Sequence, residues 1–182
     1  MPSPDYIGPN YRGLVIIGSN PGLAHTAAQS MNDRKMFALQ EQIALGSGEA
    51  FRELMRFLPT SMLGWKQVVD RKSREYLGFD ISEVAYVNLV KCATNPGGSD
   101  AQKLFTGTNI VKRCWKNHTG PLLELLRPTH IAALWKPVIK VLGKQGYLFP
   151  KGVQVGFHSG RRSASLEERY ATVRDVFQDF SR

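Results

Sequence analysis

Residues 13–22 read Gly13-Leu14-Val15-Ile16-Ile17-Gly18-Ser19-Asn20-Pro21-Gly22, inside the longer stretch YRGLVIIGSNPGLAH at 11–25. An aliphatic run without polar alternation, bounded by glycines, predicts a strand over 13–18 buried on both faces. Strands of that kind lie inside parallel sheets covered by helices. The Asn-Pro-Gly that follows is good turn chemistry and sets Asn20 two residues past the strand. A second Asn-Pro-Gly at 95–97 sits in a Gly-Ser loop several residues beyond the next apolar run. Only the first has a fixed relation to a strand end.

The rest of the chain alternates in the same way. Further strands are expected at 84–90, 130–134 and 152–157. Helical spacing runs from Asp33, a candidate cap, to Leu45, with Met36, Leu39 and Ile43 on one side. It recurs from Glu49 to Leu58, where Pro59 is expected to stop it, and from Ser61 to Asp70. A helix is expected over 109–126, and another from Pro137 to Leu142 with Gly143 as its stop. The last runs from Ser165 to Phe180, with Ser165 and Glu168 spaced as a capping box. Strands separated by helices predict an α/β fold, a three-layer α/β/α sandwich around a central four-stranded parallel sheet. Ligands of such sheets bind beyond the carboxyl ends of the strands. Asn20, the region from Asn88 to Cys92, and His158 follow three of those ends.

At 182 residues, one domain over 1–182 is expected, long enough to bury roughly 70% of its unfolded surface. The formal charge of +9 points to a polyanionic partner, nucleic acid before an anionic membrane. No apolar run reaches the roughly 20 residues of a membrane span, and the N-terminus has no apolar signal core. The expectation is a cytoplasmic protein with no membrane partner. Cys92 and Cys114 are the two cysteines, read as thiols rather than a disulfide.

Together these motifs resemble the uracil-DNA glycosylase superfamily, over roughly residues 13 to 170. The turn Gly18-Ser19-Asn20-Pro21-Gly22 is similar to the first motif of its mismatch-specific and single-strand-selective branches. Val87-Asn88-Leu89-Val90-Lys91-Cys92 resembles the Asn-bearing strand of the thermophile-type branch, as Pro128-Thr129-His130-Ile131-Ala132-Ala133-Leu134 resembles its penultimate strand. His158-Ser159-Gly160-Arg161-Arg162-Ser163 occupies the place of the catalytic His loop. There are departures. The thermophile-type branch holds an iron–sulfur cluster with four cysteines. Only Cys92 and Cys114 fall in matching places, too few for a cluster, so no metal and no cofactor is expected. Trp135 stands where that branch has Gly, and Ser-Gly follows His158 where the family has Pro-Ser.

The resemblance implies excision of uracil from DNA by a monomeric enzyme that leaves an abasic site. The base is flipped out and read on its Watson–Crick edge. Its departing anion needs a preset hydrogen-bond donor, and the attacking water needs an oriented acceptor. In that scheme Asn20 orients water and His158 donates to uracil O2. Asn88 reads uracil O4 and N3–H. Gly18, Ser19 and Phe37, the nearest aromatic after the first motif, complete the base pocket. Arg161 and Arg162 wedge the stack, and Ser159, Ser163 and Lys91 face the DNA. By residue chemistry alone, Asn20 also reads as a turn former, Asn88 as a satisfied polar residue between strands, His158 as solvent-facing and Phe37 as helix core. Two other functions stay open at this level. One is an inactive relative that binds abasic or damaged DNA. The other is a nucleotide-binding protein with GSNPG as a phosphate loop, although that stretch lacks the lysine and spacing of a P-loop.

Overall fold

The computed structural model describes residues 4–19, 27–61, 80–91, 109–134, 136–146, 153–157 and 166–180. The fold is α/β. The aliphatic run before the first Asn-Pro-Gly forms β2, Leu14–Gly18, and every residue of it is buried. It lies centrally because an all-aliphatic strand needs neighbours on both edges and cover on both faces. β3 (Val84–Asn88) and β4 (His130–Ala133) flank it in parallel, and β5 (Gln154–Phe157) extends the sheet beyond β4. The four expected strands are therefore present and mutually parallel.

A fifth strand was not expected. β1, Tyr6–Ile7, pairs antiparallel with β3 and gives the order β1-β3-β2-β4-β5. Two residues are too few to carry a period, and only main-chain pairing shows it. The approach is close at Gly8, whose N–H donates to Val84 O, since a Cβ there would collide with the carbonyl of Ser82.

Alternate residues of the sheet enter two cores. Leu14, Ile16, Val84 and Tyr86 pack with residues of α1 (Ala27–Ala44), α2 (Gly48–Ser61) and α6 (Leu166–Phe180), including Leu39, Leu58 and Phe177. Val15, Ile17, Ala85 and Val87 pack with α3 (Asn109–Cys114), α4 (Gly120–Leu126) and α5 (Lys136–Lys144), through Val111, Leu123 and Leu142.

Several helix boundaries differ from expectation. α1 begins at Ala27, so Asp33 lies inside it and does not cap it. α2 runs through Pro59 to Ser61, capped at its start by Ser47 Oγ, which accepts from Ala50 N at 3.1 Å. Proline supplies no N–H for Met55 O, yet the helix continues for two residues, and the hydroxyls of Thr60 and Ser61 donate to Phe57 O at 2.9 and 3.0 Å. The expected helix over 109–126 is interrupted by a π-turn, Trp115–Thr119. Gly120 lets it close, since a Cβ there would stand 3.0 Å from Trp115 O. α4 ends on Arg127 in the left-handed region, φ 46°. Gly143 lies inside α5, and the left-handed glycine after it is Gly146, φ 71°. The expected helix beyond Ser61 and the cap residue Ser165 lie outside the described residues. Among the described residues, no helix is long and apolar enough to cross a membrane.

Because β2 carries both cores, truncating it should be costly. Ile16 is fully buried. Ile16→Ala should lower unfolding free energy by about 2–5 kcal/mol in urea titration. A loss below about 1 kcal/mol would contradict the central placement.

Candidate functional site at the carboxyl edge of the sheet

β2 and β3 end side by side, with Gly18 opposite Asn88. The ladder continues one step further, Leu89 N donating to Gly18 O at 2.9 Å and Val90 N to Ser19 O at 2.8 Å. Gly18 shares a face with Leu14 and Ile16, and Asn88 shares that face with Val84 and Tyr86. A Cβ on Gly18 would stand 2.5 Å from the Tyr86 hydroxyl and 3.0 Å from Asn88 Oδ1. The missing side chain therefore makes room for an amide and a phenol to converge at the strand end. Asn88 is 2% exposed. Burial, and then the charge of Asp5, push the Tyr86 phenol up to about 12, so it keeps its proton at neutral pH.

The main chain of Asn88 is held at its N–H and at its carbonyl. The register of β1 with β3 covers only Tyr6 with Tyr86 and Ile7 with Ala85, and stops short of the Asn88 N–H. The carboxylate of Asp5, the residue before β1, reaches it instead. Asp5 Oδ1 accepts from Asn88 N at 3.1 Å. The same carboxylate holds Lys91 Nζ at 2.5 and 2.6 Å. The Thr119 hydroxyl of the π-turn makes long donations to Asn88 O and Leu89 O, at 3.4 and 3.3 Å. Burial raises the Asp5 carboxyl above its ordinary value and lowers the Lys91 ammonium below its own, and each partner's charge works against the other's shift.

Of the residues singled out in the sequence, the structure brings Gly18, Ser19 and Asn88 together. Lys91 lies at the same strand end, but its side chain is 4% exposed and committed to Asp5. The DNA-facing role expected for Lys91 is thereby corrected: its charge is not offered to a phosphate. Phe37 is half-buried on α1, roughly 15 Å along the helix axis from Ala27. Asn20, His158, Ser159, Arg161, Arg162 and Ser163 lie outside the described residues, as does Cys92. Cys114 is a buried free thiol.

Asp5, Tyr86 and Thr119 were missed. Tyr86 was legible as strand, two residues before Asn88, but not as part of a site. Asp5 and Thr119 carry no local signal, since their partners lie 83 and 31 residues away. His130 lies at the opposite, amino edge of the sheet. There it contacts Thr129 Oγ1 at 2.8 Å and Asp179 Oδ2 at 3.2 Å, tying β4 to α6.

Neither a protein-family model nor a curated protein matches the chain.

The buried pair should respond to mutation asymmetrically. Lys91→Met strands the Asp5 carboxylate and should cost about 3–5 kcal/mol, while replacing both charges as D5N/K91M should be near neutral or stabilising. The pH dependence follows from the two directions. A raised Asp5 value weakens the folded state as pH climbs above the ordinary carboxyl value, and a lowered Lys91 value strengthens it as pH approaches the ordinary lysine value. The advantage of D5N/K91M over the parent should therefore be largest near neutral pH. Denaturant melts at acid, neutral and alkaline pH check this, and an advantage smallest at neutrality would contradict it.

Proposed function

We propose that the chain is a monofunctional uracil-DNA glycosylase, built as a three-layer α/β/α sandwich around its parallel strands and acting as a cytoplasmic monomer. The observation that carries this reading is the paired end of β2 and β3. A buried Asn88 amide stands beside the glycine that opens the Gly-Ser-Asn-Pro-Gly turn. Desolvated amides of this kind discriminate bases sharply, because the wrong base leaves buried polar groups unpaired. Uracil satisfies such an amide through O4 and N3–H, and cytosine does not.

The reaction assigned to the site breaks the bond between deoxyribose C1′ and uracil N1. The base leaves with the bonding pair as an N1 anion. Water adds at C1′, and one of its protons ends on the departed base. Asn20, the residue after Ser19, orients the water. His158, the residue after β5, donates to O2 of the anion. Arg161 and Arg162 fill the space the base vacates.

Positive charge beside the site supports a DNA partner. Lys112, Arg113 and Lys116 are exposed on α3 and on the π-turn whose buried Thr119 touches Asn88 O. No acidic residue occurs between 109 and 119 to offset them. A second reading, a binder of abasic DNA that no longer cuts, is favoured by the Ser-Gly that follows His158.

Free uracil should be released from a uracil-containing oligonucleotide by the parent chain and lost in Asn20→Ala and His158→Ala. No release from uracil, hypoxanthine or mismatched-thymine substrates, single- or double-stranded, would sink the first reading. Tight abasic-site binding without release would select the second. Independently, K112A/K116A should weaken binding at every sequence and flatten the log–log salt dependence by about 1 for each phosphate no longer neutralised. Titrations from low to moderate salt read this directly, and an unchanged slope would remove these lysines from the interface.

A further inference from the structure

We infer that Asp5 and Thr119 are positioning residues, which fix the Asn88 amide for base recognition by holding its main-chain N–H and its main-chain carbonyl. The inference rests on the glycosylase reading. Three features point beyond ordinary strand pairing. First, one carboxylate holds both ends of the segment that leaves β3: it accepts the N–H of Asn88 and grips the ammonium of Lys91, three residues on. That fixes the direction of the chain after Asn88 and with it the side chain that faces Gly18. Second, β1 pairs only Tyr6 and Ile7, so on the edge away from β2 main-chain pairing stops short of Asn88. Third, Thr119 is brought to the carbonyls of Asn88 and Leu89 by a π-turn, a widened turn that occurs often at functional sites. At the far end of β3, Val84 itself is held by main-chain bonds: its carbonyl accepts from Gly8 N and its N–H donates to Ile81 O.

The clamp acts through geometry and touches no substrate atom. A reading group displaced by about 1 Å can lose on the order of 100-fold in rate, while affinity for the DNA backbone is set elsewhere. Loss of the clamp should therefore appear in kcat and spare KM.

The test compares two variants that both lack the buried charge pair. D5N/K91M keeps a carbonyl acceptor for Asn88 N–H, and D5L/K91M does not. Uracil release from a single-stranded uracil oligonucleotide should fall about 10- to 100-fold in kcat for D5L/K91M, with recovery of most of that loss in D5N/K91M. Amide-proton exchange at Asn88, followed by 15N NMR, should accelerate in D5L/K91M only. Thr119→Val against Thr119→Ser asks the same at the Asn88 carbonyl and serves if D5L/K91M does not fold. Equal kcat in the two members of each comparison would overturn the inference, as would equal exchange at Asn88. If the parent chain releases no uracil, the glycosylase reading fails separately. Exchange then decides: faster exchange in D5L/K91M upholds the clamp, and equal exchange removes it.

Discussion

The structure depends on a strand that has no polar side. All five residues of β2 are buried, and their side chains alternate between two cores. A chain obliged to bury Leu14 and Ile16 on one face and Val15 and Ile17 on the other needs helices on both sides and strands on both edges. That requirement sets β3 and β4 beside β2, and the parallel register then delivers Gly18 to Asn88. The site is a consequence of the core: it lies where the central strand stops being aliphatic and its neighbour ends in an amide.

A sheet edge made in this way leaves main-chain groups without partners. Antiparallel pairing from β1 would supply them, but it covers only Ala85 and Tyr86 and stops short of Asn88. The chain replaces a backbone donor–acceptor pair by two side chains, a carboxylate from before β1 and a hydroxyl from the π-turn. A carboxylate accepts more than one bond, and Asp5 uses the surplus to bind Lys91. The pairing explains how a lysine comes to rest almost entirely out of water at the end of a strand, where an unpaired ammonium would be prohibitively expensive.

Much of this was legible, because periodicity reports burial. The four parallel strands could be read from Leu14–Gly18, Val84–Asn88, His130–Ala133 and Gln154–Phe157, since aliphatic and β-branched runs bounded by turn residues have few other meanings. Asn88 stood out as an amide within such a run. What escaped notice lacked a period or a neighbour. β1 is two residues long. Asp5 finds its partners 83 and 86 residues away, so nothing around it announces them. Pro59 misled because proline weakens a helix without always ending it, and α2 continues two residues past it. Asp33 looked like a cap because the apolar spacing became clear only after it, although the helix had begun at Ala27. Lys91 was counted with the basic surface because sequence records a charge but not its burial.

The two edges of the sheet treat charge differently, and the difference bears on what the carboxyl edge is for. At the amino edge, Arg12 pairs with Glu83 at 2.6 Å and lies over the ring of Phe180, with half of the arginine side chain exposed. Pairs of that kind contribute little; Arg12 reaches α6 through the ring of Phe180 and its carbonyl, which accepts at 3.3 Å. If anchoring were the only need at the carboxyl edge, a solvated pair or an apolar contact would serve there too. Instead the chain buries an ammonium and a carboxylate, an arrangement that apolar residues often match or exceed in stability. What the buried pair supplies, and an apolar contact does not, is direction: a carboxylate with fixed partners allows the main chain at Asn88 few alternatives. Among the described residues, the fold thus sets an expensive interaction at the end of β3, beside a buried amide, and a solvated pair at the amino edge.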